Sequence, residues 1–219
     1  MNNEKPNRVF LGDVLQIEEN FLASGLRRAV APCDRVHRIP AVASFPVIIT
    51  RSRREEGHYL RTARPRVPVH IAVSRHARHP ELTLLHEVGH FLDQMAFNPI
   101  GGGFGSECEP RFDVLKDAWL ASRVVQTMGS LLSRRGRYAS QKSRAILRYE
   151  LYARELWART YVQWVVKRSA DPLFLSELYR MRQEGAIFVG QYYTFQWEDD
   201  EFDPIITLVD DLFHTAGLL

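Results

Sequence analysis

The run Leu82-Thr83-Leu84-Leu85-His86-Glu87-Val88-Gly89-His90-Phe91-Leu92-Asp93-Gln94-Met95-Ala96-Phe97 decides how the rest of the chain is read. Its apolar side chains recur at helical spacing, Pro80 and Glu81 suit a first turn, and Asn98-Pro99 with Gly101, Gly102 and Gly103 end it. The pattern predicts a helix over 80–97. Within it His86 and His90 stand four apart and project from one face, so two imidazole nitrogens can reach a single Zn2+ at about 2.0–2.1 Å. Glu87 sits one step round, where a carboxylate can act as general base on a metal-held water without ligating the metal. The plain alternative is a surface helix with two histidines. Leu82, Leu84, Leu85, Val88, Phe91 and Leu92 argue against it, because they leave little polar surface and buried histidines need partners. Gly89 lets another element approach closely, either a helix or the sheet. Asp93, one turn beyond His90, is placed to accept the second N–H of a ligand histidine or to end as a solvated acid.

Upstream, apolar residues at Val14, Ile17, Phe21, Leu22, Leu26 and Val30 predict a helix over 13–31, closed by Pro32. From about residue 40 the chain changes to short β-branched runs, giving three expected strands at 45–49, 58–60 and 67–73. Beyond the glycines the pattern is helical, with segments near 109–133, 141–169, 172–184 and 203–215. The expected class is α+β, as one domain over 1–219. Residues 1–98 form its N-terminal lobe, with a small mixed or antiparallel sheet and the metal-binding helix. Residues 99–219 form a mostly helical C-terminal lobe, and a cleft is expected between the two.

A chain of 219 residues that is 45% hydrophobic and 25% charged lies in the ordinary globular range, which excludes disordered, collagenous and coiled-coil classes. No window approaches a membrane span, and MNNEKPNRVF lacks the apolar run of a signal peptide, so a cytoplasmic protein with no membrane contact is expected. Cys33 and Cys108 lie far apart, which suits free, buried thiols rather than a disulfide framework or a thiolate zinc site. The net charge of +3 conceals a polarised chain: residues 1–80 carry 14 Lys/Arg against 7 Asp/Glu, and residues 171–219 carry 2 against 10. The arginines at 51, 53, 54, 61, 64, 66, 75 and 78 suit nucleic acid or an acidic partner; alternatively they solvate strand edges and meet the acidic tail within the molecule. No nucleic-acid fold signature accompanies them, and oligomeric state is not specified. The cluster from Glu198 to Asp203 reads as a solvated turn or a Ca2+ site. His37, His58, His76, His79 and His214 read as surface or structural residues.

A catalytic zinc takes three protein ligands and keeps one position open, so a third is sought downstream. In ILRYELYARELWARTYVQWVV, Glu155 shares a helical stripe with Leu147, Leu151, Ala158, Val162 and Val165. Glu150 is the rival, about 140° round the helix, and both have an arginine four residues on, so spacing favours Glu155 only modestly.

HEVGHFLD, followed by Glu155-Leu156-Trp157-Ala158-Arg159-Thr160-Tyr161-Val162-Gln163-Trp164, resembles the gluzincin metallopeptidases related to anthrax lethal factor and the small metallopeptidase domains of bacterial, phage and plasmid-associated proteins. The second motif of those families reads approximately E-L-F-A-R-A-F-x-x-Y. The resemblance implies a zincin-like fold, His86, His90 and Glu155 as zinc ligands, Glu87 as base, and hydrolysis of a peptide or protein substrate. It further implies an oxyanion donor, for which Tyr138, Tyr149, Tyr152, Tyr192 and Tyr193 are candidates; Tyr152 is preferred because it stands three residues before Glu155. The strand His70-Ile71-Ala72-Val73-Ser74 stands where such enzymes place the edge that pairs with substrate. The competing expectation is a catalytically weak or inactive protein of the same fold, gripping nucleic acid or a protein partner through its arginine-rich N-terminal third.

Overall fold

The β-branched runs assemble as one mixed sheet, and its order sets an edge strand beside the helix that bears His86 and His90. In the computed structural model, which describes residues 8–63, 67–98, 103–133, 141–184, 186–188 and 191–219, the chain opens with β1 (Arg8–Val9), α1 (Leu11–Val14), β2 (Leu15–Ile17) and α2 (Ala23–Val36). Next come β3 (Ile39–Pro40), β4 (Phe45–Thr50), β5 (Gly57–Arg61), β6 (Pro68–Ser74) and α3 (Pro80–Met95). The second half runs through α4 (Gly105–Cys108), a 3-10 turn at Pro110–Phe112, α5 (Asp113–Ala121), α6 (Arg123–Ser133), α7 (Gln141–Glu150), α8 (Ala153–Ser169) and α9 (Pro172–Gln183). A hairpin of β7 (Ala186–Phe188) and β8 (Gln191–Tyr193) then leads into α10 (Asp199–Ala216). The architecture is α+β with small mixed sheets. Among the described residues no helix is long and apolar enough to cross a membrane.

The main sheet has the order β2-β4-β6-β5, with β5 antiparallel to β6 and the other pairs parallel. β6 is therefore interior, and the expectation that residues 70–74 form the free edge is corrected: the edge is β5. The physical reason shows in the burial. Ile71 to Ser74 are buried in succession, as suits a strand enclosed on both faces, whereas Leu60 on β5 is exposed and a register shift follows it.

The expected helix over 13–31 is replaced by α1, β2 and α2. Leu15 and Ile17 alternate about an exposed Gln16 and pair with Phe45 and Val47, so a two-residue period wins over the helical one. Pro32 lies inside α2 rather than closing it. The carbonyl that it deprives of a partner belongs to Arg28, whose residue is solvent-exposed. The segment 109–133 breaks at Ser122, and 141–169 breaks at Leu151–Tyr152, where Tyr152 takes extended angles (φ −64°, ψ 139°) at the start of α8.

One cluster of buried side chains runs through both halves of the chain. At its centre lies α8, buried on every face from Glu155 to Val166. Trp157 stacks or makes edge contacts with Phe97, Phe112 and Phe213 at centroid distances of 5.2, 5.3 and 6.1 Å. α8 meets α3 at Gly89, where a Cβ would lie 3.0 Å from the Ala158 Cα and 3.3 Å from the Tyr161 ring. The Trp157 indole N–H donates to the Gly89 carbonyl at 2.8 Å. The glycine thus serves a helix–helix crossing, not the sheet.

Gly89→Ala should lower stability: overpacking of about 1–3 kcal/mol outweighs a helix-propensity gain of about 1 kcal/mol. A fall in the urea midpoint at unchanged m-value is the expected reading, and an unchanged or raised midpoint would contradict the close crossing.

Candidate metal centre

α3 presents His86 and His90 one turn apart, with ring centroids 4.8 Å from each other. Glu155, in the first turn of α8, meets them from across the crossing: its Oε2 lies 3.3 Å from His86 Nε2 and 3.6 Å from His90 Nε2. With metal–ligand bonds of about 2.0–2.2 Å, the edges of a tetrahedral coordination sphere measure about 3.3–3.6 Å. Both carboxylate–imidazole distances therefore match those between ligands of one divalent cation. The donor atoms all lie within 4.8 Å of one another, the one such group among the described residues. Burial opposes the charge on Glu155, yet the hydrogen bonds and charges of His86 and His90 outweigh it and hold the carboxyl far below its ordinary range. His90 Nδ1 is buried without a hydrogen-bond partner among the described residues, beside the ring of Phe104.

The break in the helix separates the two glutamates. Glu150 closes α7 and pairs with Arg159 at 3.5 Å, whereas Glu155 opens α8 with Arg154 3.5 Å from its Oε1. Each acid takes the other's expected arginine, because the face argument assumed one continuous helix. Arg154 also reaches Glu107 at 3.4 Å, so it orients Glu155 from the side away from the histidines. The sequence reading had Arg154 only as a possible partner of Glu150, not of the Glu155 it immediately precedes.

The cluster lies in a cleft of about 650 Å3, lined by Gly57, Tyr59, Glu87 and Tyr149 among others. Burial pushes the Glu87 carboxyl up to about 7; Glu155 adds to this, while His86 and the backbone N–H of Tyr59 oppose it. Gly57 leaves room beside it, since a Cβ there would lie 3.0 Å from Glu87 Oε1. Tyr149 lines the cleft beside Glu155, and partial burial, then the charge of Glu155, raises its phenol pKa. Tyr152 does not join the site. It caps α8, is absent from the cleft lining, and packs on Tyr149 and under the Arg154 guanidinium. Its preference over Tyr149 is corrected for the same reason as the arginines: residues 149 and 152 belong to different segments. Tyr138 lies outside the described residues, as do the side chains of Tyr192 and Tyr193.

Asp93 accepts from the Ser106 N–H at 2.7 Å and the Ser106 hydroxyl at 2.5 Å, not from a ligand histidine, so it ties the end of α3 to α4. The acidic cluster is taken up by ion pairs: Arg123 meets Asp200 and Glu201, Lys167 meets Asp199, and Arg182 meets Glu198 and Asp199. Those partners come from later in the chain, not from the arginine-rich third. Cys33 is buried, but Cys108 is exposed, against expectation. Of the five scattered histidines, His79 bridges Glu177 and Glu184 at 3.0 Å each, and His37 is buried against Tyr161. No family model, curated protein or solved structure matches the chain.

Burial raises the Asp93 carboxyl to about 7, with Ser106 opposing. A folded pKa above the unfolded value of about 3.9 means that its stabilising contribution is full below about pH 4 and is lost as pH rises through about 7, at no more than about 1.4 kcal/mol per pH unit. Asp93→Asn removes that titration. The stability of wild type relative to Asp93→Asn should fall between about pH 4 and 7, and parallel unfolding curves across that range would refute it.

Proposed function

We propose that this chain is a zinc-dependent metallopeptidase of gluzincin type on a zincin-like fold, cutting peptide or protein substrates. The observation that carries this reading is the meeting of Glu155 with His86 and His90 at 3.3 and 3.6 Å, in a cleft that also holds Glu87 and an edge strand. His86, His90 and Glu155 would hold the ion, and zinc bound there polarises a carbonyl and brings the pKa of a water toward 7.

The protein's own groups perform the rest. The outer edge of β5, which has no partner strand among the described residues, borders the cleft and would pair with an extended peptide. Glu87 takes the proton of the attacking water on its carboxylate and passes it to the leaving amine nitrogen, a two-way role suited to a carboxyl raised toward neutral pH. Tyr149, already at the ligand carboxylate, donates its hydroxyl proton in a hydrogen bond to the carbonyl oxygen as negative charge develops. Arg154 fixes the orientation of Glu155.

Protein purified without added zinc should carry about one zinc per chain by plasma mass spectrometry. Glu155→Ala should lose it and Glu150→Ala should keep it; a chain that neither carries nor takes up zinc would end the metallopeptidase reading. Glu87→Gln should retain zinc while peptide cleavage falls by about 10^2–10^4, and Tyr149→Phe should lower kcat by about 10^2–10^3 with KM little changed. Chelator-sensitive cleavage at the wild-type rate in Glu87→Gln would remove Glu87 from its role.

A further inference from the structure

We propose that the cleft continues into an arginine-lined subsite that receives acidic side chains, so that the substrate carries Asp or Glu on one side of the scissile bond. The proposal rests on the peptidase reading above. Arg53 and Arg54 from the loop 51–56, and Arg78 from the connection into α3, line a second cavity of about 450 Å3 with Glu55, Glu56 and His76. Arg54, Glu55 and Glu56 line the catalytic cleft as well, so the two cavities adjoin along the end of β5.

The loop is built, not merely charged. Ser74, 1% exposed, donates its hydroxyl to the Ser52 carbonyl at 2.5 Å and its N–H to the Glu56 carbonyl at 2.6 Å. Its hydroxyl also accepts the His76 N–H at 3.0 Å. Ser52 Oγ accepts from the N–H groups of Arg54 and Glu55 at 3.2 and 3.3 Å. One buried serine thus pins the β4–β5 loop to the chain leaving β6 and brings Arg53 and Arg54 to the same cavity as Arg78.

Three exposed arginines outnumber the two glutamates of this cavity. Arg53 and Arg54 are exposed and make no side-chain ion pair among the described residues, and Arg78 acts on Glu184 only at longer range. Glu55 contacts His58 at 3.1 Å, and Glu56 accepts from Thr83 at 3.5 Å. The acidic run 198–203, the other source of neutralising charge, is taken up by Arg123, Lys167 and Arg182. Guanidinium forks match carboxylates in two-point contacts, and a concave cavity beside a peptide cleft suits single side chains. A cavity of about 450 Å3 adjoining the peptide cleft accommodates single side chains rather than a continuous phosphodiester backbone, which favours an acidic peptide over nucleic acid.

The test uses the full-length Glu87→Gln chain and three fluorescein-labelled peptides of equal length, bearing a Glu block N-terminal to the centre, C-terminal to it, or none. One acidic peptide should bind at least about tenfold more tightly than the neutral one at low salt, with the gain shrinking as salt is raised. The gain should vanish when Arg53→Glu and Arg78→Glu are added, with an unchanged circular dichroism spectrum. Equal binding of all three peptides, or a gain that survives charge reversal, would overturn the proposal. An oligonucleotide of matched charge binding as tightly, with the same arginine dependence, would overturn it too and assign the cavity to nucleic acid. Wild-type cleavage without acidic preference would refute the subsite while leaving the peptidase reading intact. Acidic preference in binding, with no cleavage by zinc-loaded wild type, would sink the peptidase reading and uphold the subsite.

Discussion

Everything at the candidate site depends on how closely α3 and α8 cross. The absence of a side chain at Gly89 admits Ala158, and the Trp157 indole closes on the same glycine's carbonyl. Glu155 stands one turn before Ala158 and His90 one residue after Gly89. The contact that sets the interhelical distance therefore also sets the distance from carboxylate to imidazoles. A helix pair held apart by even one methyl group would keep its hydrophobic burial and lose the convergence of the three donors. The tight aromatic packing of Phe97, Phe112 and Phe213 around Trp157 makes that distance stiff.

Elements read most clearly in the sequence where local and tertiary demands agreed. The helix over 80–97 emerged as Pro80–Met95, and the strands at 45–49, 58–60 and 67–73 as Phe45–Thr50, Gly57–Arg61 and Pro68–Ser74, because hydrophobic period and flanking punctuation pointed the same way. Residues 13–31 misled because Val14, Leu15 and Ile17 satisfy both periods, and only pairing with β4 decides between them. The order of strands was not legible: nothing local tells β5 that it will lie outside β6. The hairpin of β7 and β8 was passed over in a stretch read as connection.

At the site, His86, Glu87 and His90 were legible because one helical turn relates them. Glu155 was harder. The stripe used to single it out has no meaning on a helix buried all round, and Glu155 rather than Glu150 meets the histidines because of the break at Leu151–Tyr152, which spacing could not reveal. The same break moves Tyr152 out and brings Tyr149 in. Asp93 illustrates the converse, since a buried acid near a ligand found its donors in Ser106, thirteen residues on, across a segment with no regular period.

His90 and Glu155 are 65 residues apart, and the closure of that loop is accomplished by apolar packing and one indole hydrogen bond. In small zinc-nucleated domains the ion supplies the free energy of folding, and removing it unfolds the chain. Here apolar packing supplies the framework, so an ion held as proposed by His86, His90 and Glu155 would spend its affinity on coordination rather than on ordering the polypeptide. On the metallopeptidase reading, stripping the ion would silence the site and leave the scaffold folded.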